Sequence, residues 1–150
     1  MKDFNLILAE SDFHLIQACS FALKFKNKQF TEILWIGNKE SIYFRFFKDK
    51  FNIFHIDLAD TNFFNIENIS NNSKIISLKE VKISRLIAFY DTHFLFEYIR
   101  FIYKISWKNI GLLDDGLQSL YKSSMPKVHR RIPKALYNLF FKRFNVNLSL

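Results

Sequence analysis

The sequence predicts an α/β domain: a doubly wound, mainly parallel sheet of about five or more strands. Short apolar runs recur along the first 115 residues, at NLILAE (5–10), EILWIGN (32–38), NIFHID (52–57), RLIAFYD (85–91) and NIGLLDD (109–115). Helical patterns lie between several of them, and strands that alternate with helices assemble into a parallel sheet covered on both faces. Carboxylates stand at the ends of these runs, at Glu10, Asp57, Asp91, Asp114 and Asp115. On such sheets ligands lie beyond the carboxyl ends of the strands.

Each element has its own justification. After the first run, SDFHLIQACSFALKF (11–25) places Phe13, Ile16, Gln17 and Ser20 against Leu15, Cys19, Ala22 and Leu23 at helical spacing, and Ser11 or Asp12 can cap its start. KESIYFRFFKDKF (39–51) is expected as a helix behind the second strand. Residues 58–74, with Asn62, Asn65, Asn68, Asn71 and Asn72, read as a loop or a weakly ordered excursion. THFLFEYIRFIYKI (92–105) is the clearest helix, capped by Thr92, with Phe94, Tyr98, Phe101 and Ile105 on one stripe. Beyond Pro126 the pattern changes, and IPKALYNLFFKRF (132–144) reads as a basic helix with Leu136, Leu139, Phe140 and Phe144 on one face. The expected division is therefore a Rossmann-like domain over 1–125 and a basic helical tail or linker over 126–150.

Composition narrows the function classes. Hydrophobic residues make up 49% of the chain, which argues for a real core rather than disorder. The 19 phenylalanines occur together with abundant Lys, Ile and Asn, as an AT-rich genome produces, so they carry no functional weight. The net charge of +8 is uneven: residues 116–150 hold seven basic side chains and no acid, whereas residues 1–115 hold 15 basic and 14 acidic ones. A tail of this kind suits an anionic partner, or is simply a solvated basic segment. The single cysteine, Cys19, supports neither a disulfide framework nor a metal cluster and fits a reducing compartment. No signal-peptide pattern opens the chain, and no apolar run reaches the ~18 residues that cross a bilayer. A cytoplasmic protein is expected.

The motifs exclude more than they assign. Glycines at 37, 111 and 116 match neither a P-loop nor a dinucleotide fingerprint. His14, His55, His93 and His129 are scattered, and no metal is expected. What remains is LLDDG (112–116). Two adjacent carboxylates repel each other, and desolvation at a strand end makes that worse. Either solvent relieves the pair in an ordinary Asp-Asp-Gly turn, or one acid with a raised pKa takes a proton from a hydroxyl, worth ~10²–10⁴ in rate.

At LLDDG the chain resembles the bacterial sialyltransferases that decorate lipooligosaccharide or capsule. Those enzymes carry an Asp/Glu-Asp/Glu-Gly motif after a core strand, and open with a strand, short loop and helix similar to NLILAESDFHLIQA. The resemblance implies a GT-B glycosyltransferase performing inverting transfer, with Asp115 as general base and Asp114 supporting it. Gly116 would let the backbone turn away, while Gln118 and Tyr121 could line the acceptor side. It further implies CMP-sialic acid as donor, a glycan acceptor and no metal. The family's second domain holds the donor through a His-Pro motif and a serine motif. No His-Pro dipeptide occurs in these 150 residues, so they are expected to be the N-terminal, acceptor-side half and inactive alone. The basic tail is then available for peripheral contact with the inner membrane.

Two readings from other classes stand beside this one. A phospho-receiver module would use Glu10 and Asp12 after the first strand and Asp57 after the third, but needs a lysine where this chain has Asp114 and Asp115. A nucleic-acid or membrane-surface binder would act through residues 122–144, with Tyr137, Phe140, Phe141 and Phe144 for stacking or insertion. Of these two partners nucleic acid is the less expected.

Overall fold

The computed structural model describes residues 3–26, 29–57, 66–89 and 94–113. In chain order these form β1 (Asp3–Ala9), α1 (Asp12–Phe25), β2 (Gln29–Trp35), α2 (Ile42–Phe47), β3 (Ile53–His55), α3 (Ile66–Asn71), α4 (Ser73–Ser77), β4 (Ile83–Ala88), α5 (Phe94–Ile102) and β5 (Ile110–Leu112). The sheet has five strands in the order β3-β2-β1-β4-β5, and every neighbouring pair is parallel. The expected parallel α/β sheet is therefore present.

β1 lies at the centre and is apolar on both sides, as a strand covered on both faces must be. Its Leu6 and Leu8 join Leu34, Ile36, Leu86 and Ala88 in one core, closed by Ile69, Ile75, Leu95, Phe96 and Ile99 from α3, α4 and α5. Its Ile7 and Ala9 join Ile33, Trp35 and Ile87 in a second core, closed by Leu15, Ala18 and Cys19 of α1 and flanked by Phe44 and Phe47 of α2. Helices therefore cover both faces, and the sheet is doubly wound. After β3 the chain crosses to the far side of β1, which makes the gap between β1 and β4 the topological switch point.

Several boundaries differ from the sequence expectation. The stretch 58–74, expected as a loop, contains α3 and the start of α4. Asn72, read as a loop residue, is the cap: its Oδ1 accepts from Lys74 and Ile75 N–H at 3.0 and 3.2 Å. The buried Ile69 and Ile75 anchor these two short helices. The helix expected over 92–105 is helical from Phe94 and stops at Ile102. There Lys104 takes φ 52, and the amides of Lys104 and Ile105 bond back to Phe101 and Arg100 carbonyls at 3.2 and 2.9 Å, a Schellman closure. α2 is far shorter than 39–51, because an Asn38 turn and the Ser41 cap occupy its expected first turn. Each strand also ends before its apolar run does, which leaves Glu10, Asn38 and Asp57 in the loops that follow.

The domain boundary at 125/126, the basic helix 132–144 and the GT-B pairing lie outside the described residues. Among the described residues no helix is long and apolar enough to cross a membrane.

Candidate functional site

Parallel register brings the three strand ends into one row, with Ala9 opposite Trp35 and Trp35 opposite His55. Beyond that row lies a cleft of about 560 Å³, lined by Glu10, Ile36, Gly37, Asn38, Lys39, Glu40, His55 and Asp57. A smaller cavity of about 400 Å³ adjoins it and reaches Ser11, Asp12, Trp35, Ser41 and Ile42. Glu10, Asn38 and Glu40 line both.

Glu10 is the first residue after β1. Its backbone N–H donates to Nδ1 of His14, one helical turn on, at 3.4 Å. That bond makes Nδ1 the acceptor nitrogen and leaves the neutral ring's proton on Nε2. The buried His14 ring stacks on Phe89, just past β4, with centroids 4.0 Å apart and planes 4° from parallel. The ends of β1 and β4 are thereby joined across the switch point. Burial pushes the Glu10 carboxyl up to about 7, so near neutral pH it can either donate or accept a proton.

The opposite wall is built on Trp35 and Gly37. Trp35 Nε1 donates to the Asn38 carbonyl at 3.2 Å, folding the loop over the indole. A Cβ on Gly37 would lie 2.2 Å from that ring, so only glycine fits. Nε2–H of His55 donates to the Gly37 carbonyl at 3.1 Å and ties β3 to the same loop. Asn38 Oδ1 accepts from Glu40 N–H at 2.9 Å, which completes the turn. The Ser41 hydroxyl donates to Asp12 Oδ1 and accepts from Phe44 N–H, linking the starts of α1 and α2. Three carboxylates, a lysine, an amide and an imidazole thus line one cleft, a set suited to hydrogen-bonding a hydroxyl-bearing ligand. Among the described residues no group of three or more His, Cys, Asp or Glu could hold a metal ion.

Glu10 and Asp57, which the sequence placed at separate strand ends, line this cleft together. Asp114, Asp115, Gly116, Gln118, Tyr121 and Asp91 lie outside the described residues. The lead-in to the acidic pair is described: β5 ends at Leu112, and Leu113 N–H donates to the Ala88 carbonyl at 2.9 Å. Sequence reasoning missed Gly37, Asn38 and His55 as site residues. The available signal was a Trp-x-Gly-Asn segment closing an apolar run, where glycine and asparagine mark a turn at a strand end.

Comparison with protein-family models, with curated proteins and with solved structures finds no match.

Proposed function

We propose that this domain is the acceptor-side half of a sialyltransferase-like glycosyltransferase of lipooligosaccharide or capsule synthesis. The observation that carries the reading is the course of β5. It runs parallel to β4 and delivers Leu113 to the carboxyl edge of the sheet, and the next residues in sequence are Asp114, Asp115 and Gly116. That edge is also where the cleft with Glu10, Asn38, His55 and Asp57 opens.

In this reading the acceptor hydroxyl oxygen forms its bond to the sialic acid anomeric carbon as CMP departs with the electrons of the bond that breaks. The hydroxyl proton passes to the Asp115 carboxylate, and Asp114 supports that carboxylate. Gln118 and Tyr121 contact the acceptor. The chemistry calls for no metal. Donor binding belongs to the His-Pro motif of the resembled family, which these 150 residues do not contain, so the acceptor is bound here and transfer by these residues alone is not expected. The protein works in the cytoplasm, at the inner membrane.

The receiver reading has one observation in its favour, the sharing of one cleft by Glu10 and Asp57. The strand order counts against it. Receivers follow the order 2-1-3-4-5, with β1 between β2 and β3, whereas here β1 lies between β2 and β4.

A titration followed by amide NMR tests the proposal. A lactose-terminated glycan should shift the Glu10, Asn38 and His55 resonances with millimolar affinity, and Asp115→Asn should weaken that binding. Calorimetry should find no micromolar binding of CMP-sialic acid. A glycan that leaves the cleft unmoved, or tight donor binding to these residues alone, would refute the assignment.

A further inference from the structure

We infer that α2 docks this protein onto an anionic lipid surface, through a face that borders the smaller cavity at Ile42 and is distinct in sequence from the basic residues after Gly116. A surface helix ordinarily buries one stripe and shows a polar one. α2 has the sequence IYFRFF, five apolar residues of six, and none of them is buried. Phe44 and Phe47 lean on the core below, Phe44 stacking on Trp35 at 6.1 Å between centroids. Ile42, Tyr43 and Phe46 turn outward and are 76%, 45% and 57% exposed. Phe13 of α1, 50% exposed, follows Asp12, the residue tied to the Ser41 cap.

The surroundings indicate what covers this face. Lys39, Arg45, Lys48 and Lys50 are exposed around it, and Lys50 Nζ stands over the Phe46 ring at 3.4 Å from the centroid. The acids in the same segment are Glu40, which lies 4.0 Å from Arg45, and Asp49. A second copy docked through the same patch would bring these cations against their own kind. Three outward side chains on a six-residue helix also fall far short of the ~1,200 Å² of a stable protein interface. An anionic bilayer matches both features: Ile42 and Phe46 enter the acyl boundary, Tyr43 sits at headgroup level, and the cations meet lipid phosphates. The inference does not depend on the glycosyltransferase reading.

The test is sedimentation of the full chain with vesicles of phosphatidylcholine alone or mixed with phosphatidylglycerol. Because residues 116–150 carry seven basic side chains in every variant, binding is compared at low salt and at about 0.5 M NaCl, where such charge is largely screened. Ile42→Ser with Phe46→Ser should lower the partition coefficient for mixed vesicles about tenfold or more, most clearly at high salt. Lys48→Glu with Lys50→Glu should lower it several-fold at low salt only. Both pairs change exposed side chains and should keep the wild-type melting temperature. As an independent readout, a bimane label on an Ile42→Cys variant should shift to the blue on mixed vesicles; Cys19 is buried and escapes labelling. Partitioning within twofold of wild type for both pairs would overturn the inference. So would equal binding to pure phosphatidylcholine, or a dimer in sedimentation equilibrium that the Ile42→Ser, Phe46→Ser pair dissolves.

Discussion

Replacing Glu10 by Gln should stabilise the protein, and only above acidic pH. Burial carries this carboxyl from 4.5 to about 7 on folding. Below pH 4.5 the group is protonated in both folded and unfolded chains and contributes nothing. Between 4.5 and 7 the unfolded chain loses its proton while the folded one keeps it, so stability falls as pH rises; above 7 the full cost is present. At about 1.36 kcal/mol per pKa unit the ceiling is about 3 kcal/mol. Glu10 is only half-buried and lines an open cleft, so screening reduces this to about 1–2 kcal/mol. Urea unfolding of wild type and Glu10→Gln from pH 4 to 8.5 should give equal stabilities at the acid end and a Gln advantage of about that size at pH 8. The matching rise in melting temperature is about 3–6 °C. A difference that does not change with pH would mean that Glu10 is solvated in the folded protein and that its place in the cleft has been misjudged.

Two more substitutions test the frame around the site. Gly37→Ala forces a methyl onto the Trp35 indole and should cost about 2–3 kcal/mol, with a change in tryptophan fluorescence; a cost below about 0.5 kcal/mol would show that the loop simply moves aside. Lys74→Met removes the partner of the buried Glu32 and should cost about 3–5 kcal/mol, most of it recovered when Glu32→Gln is added. A double-mutant cycle without that recovery would place the cost in the lost packing of Lys74 on Phe54 instead.

The fold was largely legible because its central strands are buried on both faces, and continuous apolar runs such as NLILA and RLIA are hard to mistake. Helix ends were less legible, since they depend on caps. Ser11 was readable as one, and its hydroxyl does accept from His14 N–H. Asn72 was not, because it sits among other asparagines and only Ile69 and Ile75 mark the helices around it. Lys104 at positive φ could not be foreseen, as lysine carries no preference for that conformation. The cleft was half legible. Acids at strand ends drew attention to Glu10 and Asp57, but bringing them into one cavity takes the strand order and register, which no local pattern encodes.

Strand order also explains why the perturbed carboxyl is at Glu10. At the switch point the chain leaves β1 for α1 on one face and reaches β4 from the other. His14 and Phe89 close the floor of that gap by stacking. The residue directly after β1 is then held against a packed aromatic floor on one side and an open cleft on the other. A carboxylate there is partly stripped of water while remaining reachable by a ligand, a combination that neither the core nor the open surface provides. A neutral side chain at this position would make the domain more stable above acidic pH. The pH-dependent gain on Glu10→Gln therefore measures the cost of holding a carboxylate at this residue.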